Sequence, residues 1–390
     1  MLTRDPEEKR VYFDWAASSP YLNNEKCAPF GNPSSQHSEG RAAKIALEDA
    51  RARCAAVLNV PPDTIYFTSG GTESNSIALF SNLMKKGMGR VIASEAEHSS
   101  VREGMETLEK MGRPTGKIAV DSTGKVTHAT LTKALEKYGD VRFAAIMAVN
   151  NETGTITDIA SVRDVIRKTA GAPVHFHCDL VQAAGKIPLD IPLWEIDSAS
   201  ISAHKISGPR GIGLLYLRRP SRQSKIEVFY TGGGQEGGVR GGTENTQGAI
   251  ALADCLEKYA SDQAVRENYL GAKKRWKKLI TSLCAMERCR IIPAERAMPD
   301  MEDTFSPYVL QAAFRNIPGE VMARALDDLG FAVSTGSACS SSSPERPVLL
   351  AMGVDENLRI EGIRISQGWS TTDEEIDLLL DAIAEVLKFL

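Results

Sequence analysis

From residue 65 to residue 217 the chain alternates short apolar runs with stretches of helical periodicity, and few folds accept that pattern. Strand-like runs fall at 65–68, 91–93, 143–149, 174–178, 198–202 and 212–217. A helix running to residue 84 and helical patterns at 102–112, 130–138 and 160–169 separate several of them. Such alternation buries a mostly parallel sheet between layers of helices. Upstream, Ala43, Leu47, Ala50, Cys54 and Leu58 share one face of a helix over 39–58. A short β-type run, Val11-Tyr12-Phe13, precedes it.

Past residue 245 the rhythm changes to long helical segments, 246–260 and 264–285. A mixed region follows: a strand near 309–314, a helix near 319–329, and strands near 331–333 and 362–366. A terminal helix is expected over 373–389, opened by a Thr372/Glu375 capping box, with Asp373 and Glu374 at its positive end. The expected fold class is α/β: a large domain over 14–250 and a smaller α+β domain made of 1–13 and 251–390.

Composition narrows the class of function. A net charge of −4 with 25% charged residues gives no electrostatic footprint for a dedicated nucleic-acid binder. No run approaches the ~18 apolar residues that span a membrane, and Met1 to Arg10 has no apolar segment of a signal peptide. Seven cysteines, an odd number without a CxxC pair, argue against a disulfide scaffold and for a reducing cytoplasm. His175, His177 and Cys178 crowd one strand, but two ligands on one face make no metal site, so none is expected.

The chemistry-bearing residues lie where strands end. Lys205 sits in Ser202-Ala203-His204-Lys205, ahead of a glycine-rich turn, and Asp179 ends the run Val174 to Cys178. A lysine near glycines is more often a solvated turn residue. Paired with a carboxylate it can hold a pyridoxal ring: the amine forms an imine with the aldehyde, and the carboxylate keeps the ring nitrogen protonated. Ser69-Gly70-Gly71-Thr72-Glu73 opens a helix after a strand, where free N–H groups suit one phosphate or simply make a turn. Gln182 follows Asp179 by about one helical turn; His98 and the Asn150-Asn151 pair close two further strands. Cys339 heads a serine run within a loop of about 334–346. Small polar residues bury little area, so reactivity is the better reason for a cysteine there.

These stretches together resemble the cysteine desulfurases, the NifS/IscS-type enzymes of the fold-type-I pyridoxal-phosphate class within the class-V aminotransferase superfamily. The resemblance runs from about residue 11 to the C-terminus. It rests on Phe30-Gly31-Asn32-Pro33, Thr68-Ser69-Gly70-Gly71-Thr72-Glu73-Ser74-Asn75, Glu97-His98, Asn150-Asn151-Glu152-Thr153-Gly154 and His177-Cys178-Asp179-Leu180-Val181-Gln182. It continues through Ser202-Ala203-His204-Lys205, Gly232-Gly233-Gly234-Gln235-Glu236, Arg240-Gly241-Gly242-Thr243, Gly336-Ser337-Ala338-Cys339 and Ile363-Arg364-Ile365-Ser366.

The resemblance implies roles for pyridoxal 5'-phosphate and L-cysteine. Lys205 would carry the cofactor and Asp179 would pair with its ring nitrogen. His98 would stack on the ring and assist catalysis, and Asn151 and Gln182 would reach the ring hydroxyl. Gly71, Thr72, Ser202 and His204 would hold the phosphate, with Thr243 supplied by the second subunit of a homodimer. Asn32 and Arg364 would bind the substrate carboxylate. Cys339 would accept sulfur as a persulfide and pass it to an acceptor protein, for iron–sulfur cluster assembly or other sulfur transfer. The serine run after Cys339 resembles the family's long-loop class. Two departures stand out: only Tyr21 to Pro29 fill the stretch where the family usually has about one more helix, and Gly237 stands where it usually has arginine. A selenocysteine lyase, another class-V enzyme or a cofactor-less scaffold for a sulfur acceptor would share much of this pattern.

Overall fold

The computed structural model describes residues 10–21, 28–85, 87, 89–218, 228, 231–336 and 345–390. In chain order the first half contains β1 (Val11–Tyr12), α1 (Ser38–Val57), β2 (Ile65–Thr68), α2 (Gly71–Met84), β3 (Arg90–Ser94), α3 (Ser99–Lys110), β4 (Thr115–Ile118), α4 (His128–Tyr138), β5 (Val141–Ala145), α5 (Ile159–Thr169), β6 (His175–Asp179), α6 (Ile191–Trp194), β7 (Ser198–Ser202) and β8 (Gly213–Leu217). The second half adds α7 (Thr246–Ala260), α8 (Asp262–Ala285), β9 (Cys289–Ile292), β10 (Val309–Phe314), α9 (Gly319–Asp328), β11 (Phe331–Ala332), α10 (Pro347–Ala351), α11 (Glu356–Glu361), β12 (Gly362–Ser366) and α12 (Asp373–Phe389).

The α/β expectation holds. A seven-stranded sheet runs in the order β2-β8-β7-β6-β5-β3-β4. It is parallel from β7 to β4, while β8 is antiparallel to both its neighbours. Central strands such as β6, β7 and β8 are buried at every position, as strands covered on both faces must be. Helices α1 and α7 pack against each other and share a core with this sheet, including Leu47, Phe176, Leu214 and Leu252. A second core gathers around the three-stranded antiparallel sheet β12-β10-β9, with Trp276, Leu310, Ile363 and Ile383. Phe13 belongs to this second core, and β1 pairs in parallel with β11.

The capping box at Thr372 forms as expected, each partner bonding the other's backbone N–H. The chain between β1 and α1 is tied down by β12: the Ser366 N–H donates to the Phe13 carbonyl at 2.7 Å, and the Ala16 N–H donates to Ser366 Oγ at 2.9 Å. That tie carries Ala16 and Ala17 to the ends of β6 and β7, where the site lies.

Candidate active site

A cavity of about 180 Å³ opens at the C-terminal ends of the parallel strands, the usual ligand position in such sheets. Gly71, Thr72, His98, Asn151, Asp179, Gln182, Ser202, His204, Lys205 and Arg364 line it, so ten expected site residues meet in one place. A second cavity of about 190 Å³ lies between α8 and residues 296–307 and contains none of them.

Each side chain is placed by an identifiable local cause. Asp179 ends β6; its Oδ1 accepts from the Val181 N–H at 2.9 Å and its Oδ2 from Asn75 Nδ2 at 2.8 Å. Lys205 ends the 3₁₀ turn after β7, and its Nζ donates to the carbonyls of Ala16 at 2.6 Å and Ala17 at 2.8 Å. Gln182 donates from Nε2 to the same Ala16 carbonyl at 2.9 Å. Behind Gln182 the buried amine of Lys186 donates to its Oε1. Burial, with Lys205 and Arg364 nearby, pushes the Lys186 amine down to about 7.

His98 is the N-cap of α3, and its Nδ1 accepts from the Ser100 N–H at 3.2 Å. Burial lowers the proton affinity of His98 while Asp179 opposes the shift, so the ring is neutral near pH 7. Burial and then Lys205 push His204 down to about 4. Arg364 projects from β12 and is 1% exposed. It donates to the Asn151 carbonyl at 3.0 Å and to Asp14 Oδ1 at 2.9 Å, while its Nε has no partner. Asn150 is occupied by the turn itself, accepting from the Glu152 and Thr153 N–H groups. The neighbouring Asn151 Oδ1 is buried without a partner.

The phosphate end follows from α2. Its N-cap is Gly70, so no side chain caps the first turn and its donors are left for a ligand. Gly70 has φ 154°, and a Cβ on Gly71 would stand 2.6 Å from Val181 Cγ2, so side chains are excluded where the turn meets the end of β6. An uncapped helix start, an amine, a carboxylate and a guanidinium around one cavity fit pyridoxal phosphate.

Two expected residues that the structure describes are not in the cavity. Asn32 is exposed, and its Oδ1 accepts from the Ser34 N–H at 2.9 Å. Thr243 is exposed as well. Cys339 lies outside the described residues, as do 22–27 of the short segment and most of the 334–346 loop. Four described cysteines, Cys54, Cys178, Cys255 and Cys289, are buried with their thiols pushed up by burial, which makes them poor nucleophiles. His175 and His177 both bond to Ser198 Oγ, so their shared strand face serves the sheet interior. The covering segment around Gly237 is anchored by its neighbour Glu236. That carboxylate is buried against Arg51, with contacts of 2.7 and 2.8 Å, and accepts the Phe67 N–H.

Residues 11–379 match the family described as Aminotransferase class-V. The chain is 36% identical to the protein named Cysteine desulfurase IscS of Dictyoglomus turgidum, over 98% of this chain and 95% of that one. The chain belongs to the class-V aminotransferases, among the cysteine desulfurases. This desulfurase-type chain is also 35% identical to the cysteine desulfurase of Pongo abelii, over 95% of this chain and 78% of that protein. A solved NifS-like protein superposes with a TM-score of 0.87 at 34% identity, covering 98% of this chain and 100% of that one. SspA in complex with cysteine superposes with a TM-score of 0.76 at 28% identity, covering 91% and 98%. The family depends on pyridoxal phosphate. No described helix is long and apolar enough to cross a membrane.

Reading the residues left two members of the site unassigned. Asn75 was visible only as the end of a motif, although it stands one turn beyond Gly71 on the same helical face. Lys186 follows Gln182 by four positions, the spacing of one turn, but a lone lysine is by default read as solvated, although its neighbours Ala183, Ala184 and Ile187 are apolar.

Proposed function

We propose that this protein is a cysteine desulfurase: it converts L-cysteine to L-alanine and loads the sulfur onto Cys339 for an acceptor protein. The observation that carries the reading is Lys205 and Asp179 at one cavity with the buried guanidinium of Arg364 on its rim. Full-length likeness to proteins named for this activity supports it.

Bound pyridoxal phosphate supplies an aldehyde for amines and a protonated ring that accepts electrons. The chain supplies the rest. The start of α2, with Thr72, Ser202 and His204, would hold the phosphate. Arg364 takes the substrate carboxylate, a task for its planar fork of donors, with Asn32 as a second contact. Lys205 moves the proton at the substrate Cα through its Nζ, which the Ala16 and Ala17 carbonyls steady. His98, neutral near pH 7, would lie beside the bound ring and can accept or return a proton. The Cys339 thiolate attacks the substrate sulfur. An S–S bond forms as the Cβ–S bond breaks, its electron pair stays with Cβ, and Cβ takes a proton to give alanine. One cysteine and one thiol become one alanine and one persulfide, and no outside oxidant is needed. A partner subunit in a homodimer would bring its own Thr243 to the phosphate.

Replacement Cys339→Ser tests the assignment. It should leave the cofactor's visible absorbance intact and abolish sulfide release with L-cysteine. Substantial release by that variant would sink the role of Cys339.

A further inference from the structure

The side chains behind the cavity form a hydrogen-bonded circuit in which one amide has every valence filled. Asn75, on α2 and 1% exposed, donates from Nδ2 to Asp179 Oδ2 at 2.8 Å and to Ser100 Oγ at 2.9 Å. Its Oδ1 accepts from Ser200 Oγ at 2.6 Å and faces His177 Nε2 at 2.9 Å. A carboxamide offers two N–H donors and two lone pairs, and all four are used. A carboxylate only accepts, so the amide nitrogen must face Asp179 and the oxygen must face His177.

That orientation sets the protons of its neighbours. His177 Nε2 must carry hydrogen to bond the amide oxygen, so His177 Nδ1 accepts from Ser198 Oγ at 2.8 Å. Ser198 in turn accepts from His175 Nε2 at 2.7 Å. On the other arm, the Ser100 oxygen is taken by Asn75, and its hydrogen turns to His98 Nδ1 at 2.9 Å. The Ser100 N–H meets the same nitrogen at 3.2 Å. With two donors on Nδ1, the single proton of His98 belongs on Nε2.

We propose that Asn75 is a positioning residue that couples Asp179 to His98, holding the carboxylate and, through Ser100, fixing which imidazole nitrogen carries the proton. The proposal rests on the assignment of Asp179 and His98 to the pyridoxal site, but its tests use no turnover and do not depend on the substrate. Burial keeps both partners' imidazoles neutral, with His177 pushed down to about 4. The charged groups that face His98 are Asp179, Lys205, Arg102 and Glu103, with His204 beside it. Glu97 and Cys178 face Asp179. All of these remain in the variants below.

Asn75→Asp keeps the shape and puts a second carboxylate against Asp179, where like charges cannot both stay ionised. It also offers the Ser100 hydroxyl a new acceptor. Ser100→Ala removes only the arm to His98. The measurements are the His98 titration by nitrogen NMR in cofactor-free protein, assigned with His98→Gln, and the pH midpoint of the visible band after adding pyridoxal phosphate. Both variants should raise the His98 midpoint by about one unit, a tenfold gain in proton affinity. Asn75→Asp should also move the visible-band midpoint by about one unit, and Ser100→Ala by much less. If Asn75→Asp does not fold, Asn75→Ser replaces it for the visible band. An unmoved His98 midpoint in Ser100→Ala, or an unmoved band in the folded Asn75 variant, overturns the proposal.

Discussion

The rear wall and the rim of the cavity are built on opposite plans. At the rear, from α2, β6, β7 and the start of α3, the Asn75 amide has all its hydrogen bonds, and Asp179, His98 and Ser100 are each held by at least one partner. At the rim, buried polar atoms are left over: Asn151 Oδ1 and Arg364 Nε have no partner. An unpaired buried polar atom costs about 1–3 kcal/mol, so a fold keeps such atoms where something else completes them. The rear wall is therefore fixed before any ligand arrives, while the rim is completed by what binds. A preorganised wall spares the reaction the cost of reorienting dipoles as charge develops.

Lys205 lies where wall and rim meet, and its loss should be the most damaging single change. Lys205→Ala should lower turnover by roughly 10²–10⁴-fold, the usual worth of a positioned proton carrier, and the desalted protein should lose its visible band. A variant that retained both would erase the division. Arg364→Lys tests the rim alone. It keeps the charge but loses the planar fork, so KM for L-cysteine should rise about tenfold or more, the equivalent of one charge-assisted hydrogen bond, while the cofactor band stays in place. A fall in kcat at constant KM would place Arg364 with the wall.

The smallest effect concerns an exception within the wall. Glu97 is fully buried; its Oε1 accepts the Met147 N–H at 2.7 Å, but Oε2 has no partner. Burial, and then the charge of Asp179, push its carboxyl up to about 8. The folded protein thus holds this proton between roughly pH 4.5 and 8 while the unfolded chain has released it. Stability from this group is full below the unfolded value and is lost as pH rises through the folded one. Glu97→Gln should flatten the fall in melting temperature across that window and leave the variant the more stable protein above it. Parallel curves for the two proteins would mean that Glu97 does not titrate there.

Elements with a clean apolar pattern were legible. Helices over 246–260 and 373–389 and strands over 65–68, 198–202 and 362–366 form where the sequence placed them. Strands whose pattern is broken were not. β4 reads Thr-Gly-Lys-Ile, a sheet-edge strand with a glycine and a charge, and β9 carries Arg290 between apolar residues. Their pairing comes from neighbours distant in sequence, which no local window contains. The same holds for the site. Asp179 and Lys205 announce themselves by chemistry at strand ends, whereas Asn75 matters only because the fold brings it beside Ser100, His177 and Ser200. Asn32 and Thr243, carried over by resemblance, lie exposed outside the cavity. Their roles need a closing substrate or a second subunit.

The most direct test of the account is the visible absorbance of the purified protein before and after L-cysteine, with alanine and sulfide assayed in the same tube. The account predicts a band near about 400 nm from protein-bound pyridoxal, perturbed by cysteine, with alanine formed in step with sulfide when a reductant is present. A band that cysteine perturbs without alanine would contradict the assigned reaction, and no band even after added pyridoxal phosphate would contradict the site itself.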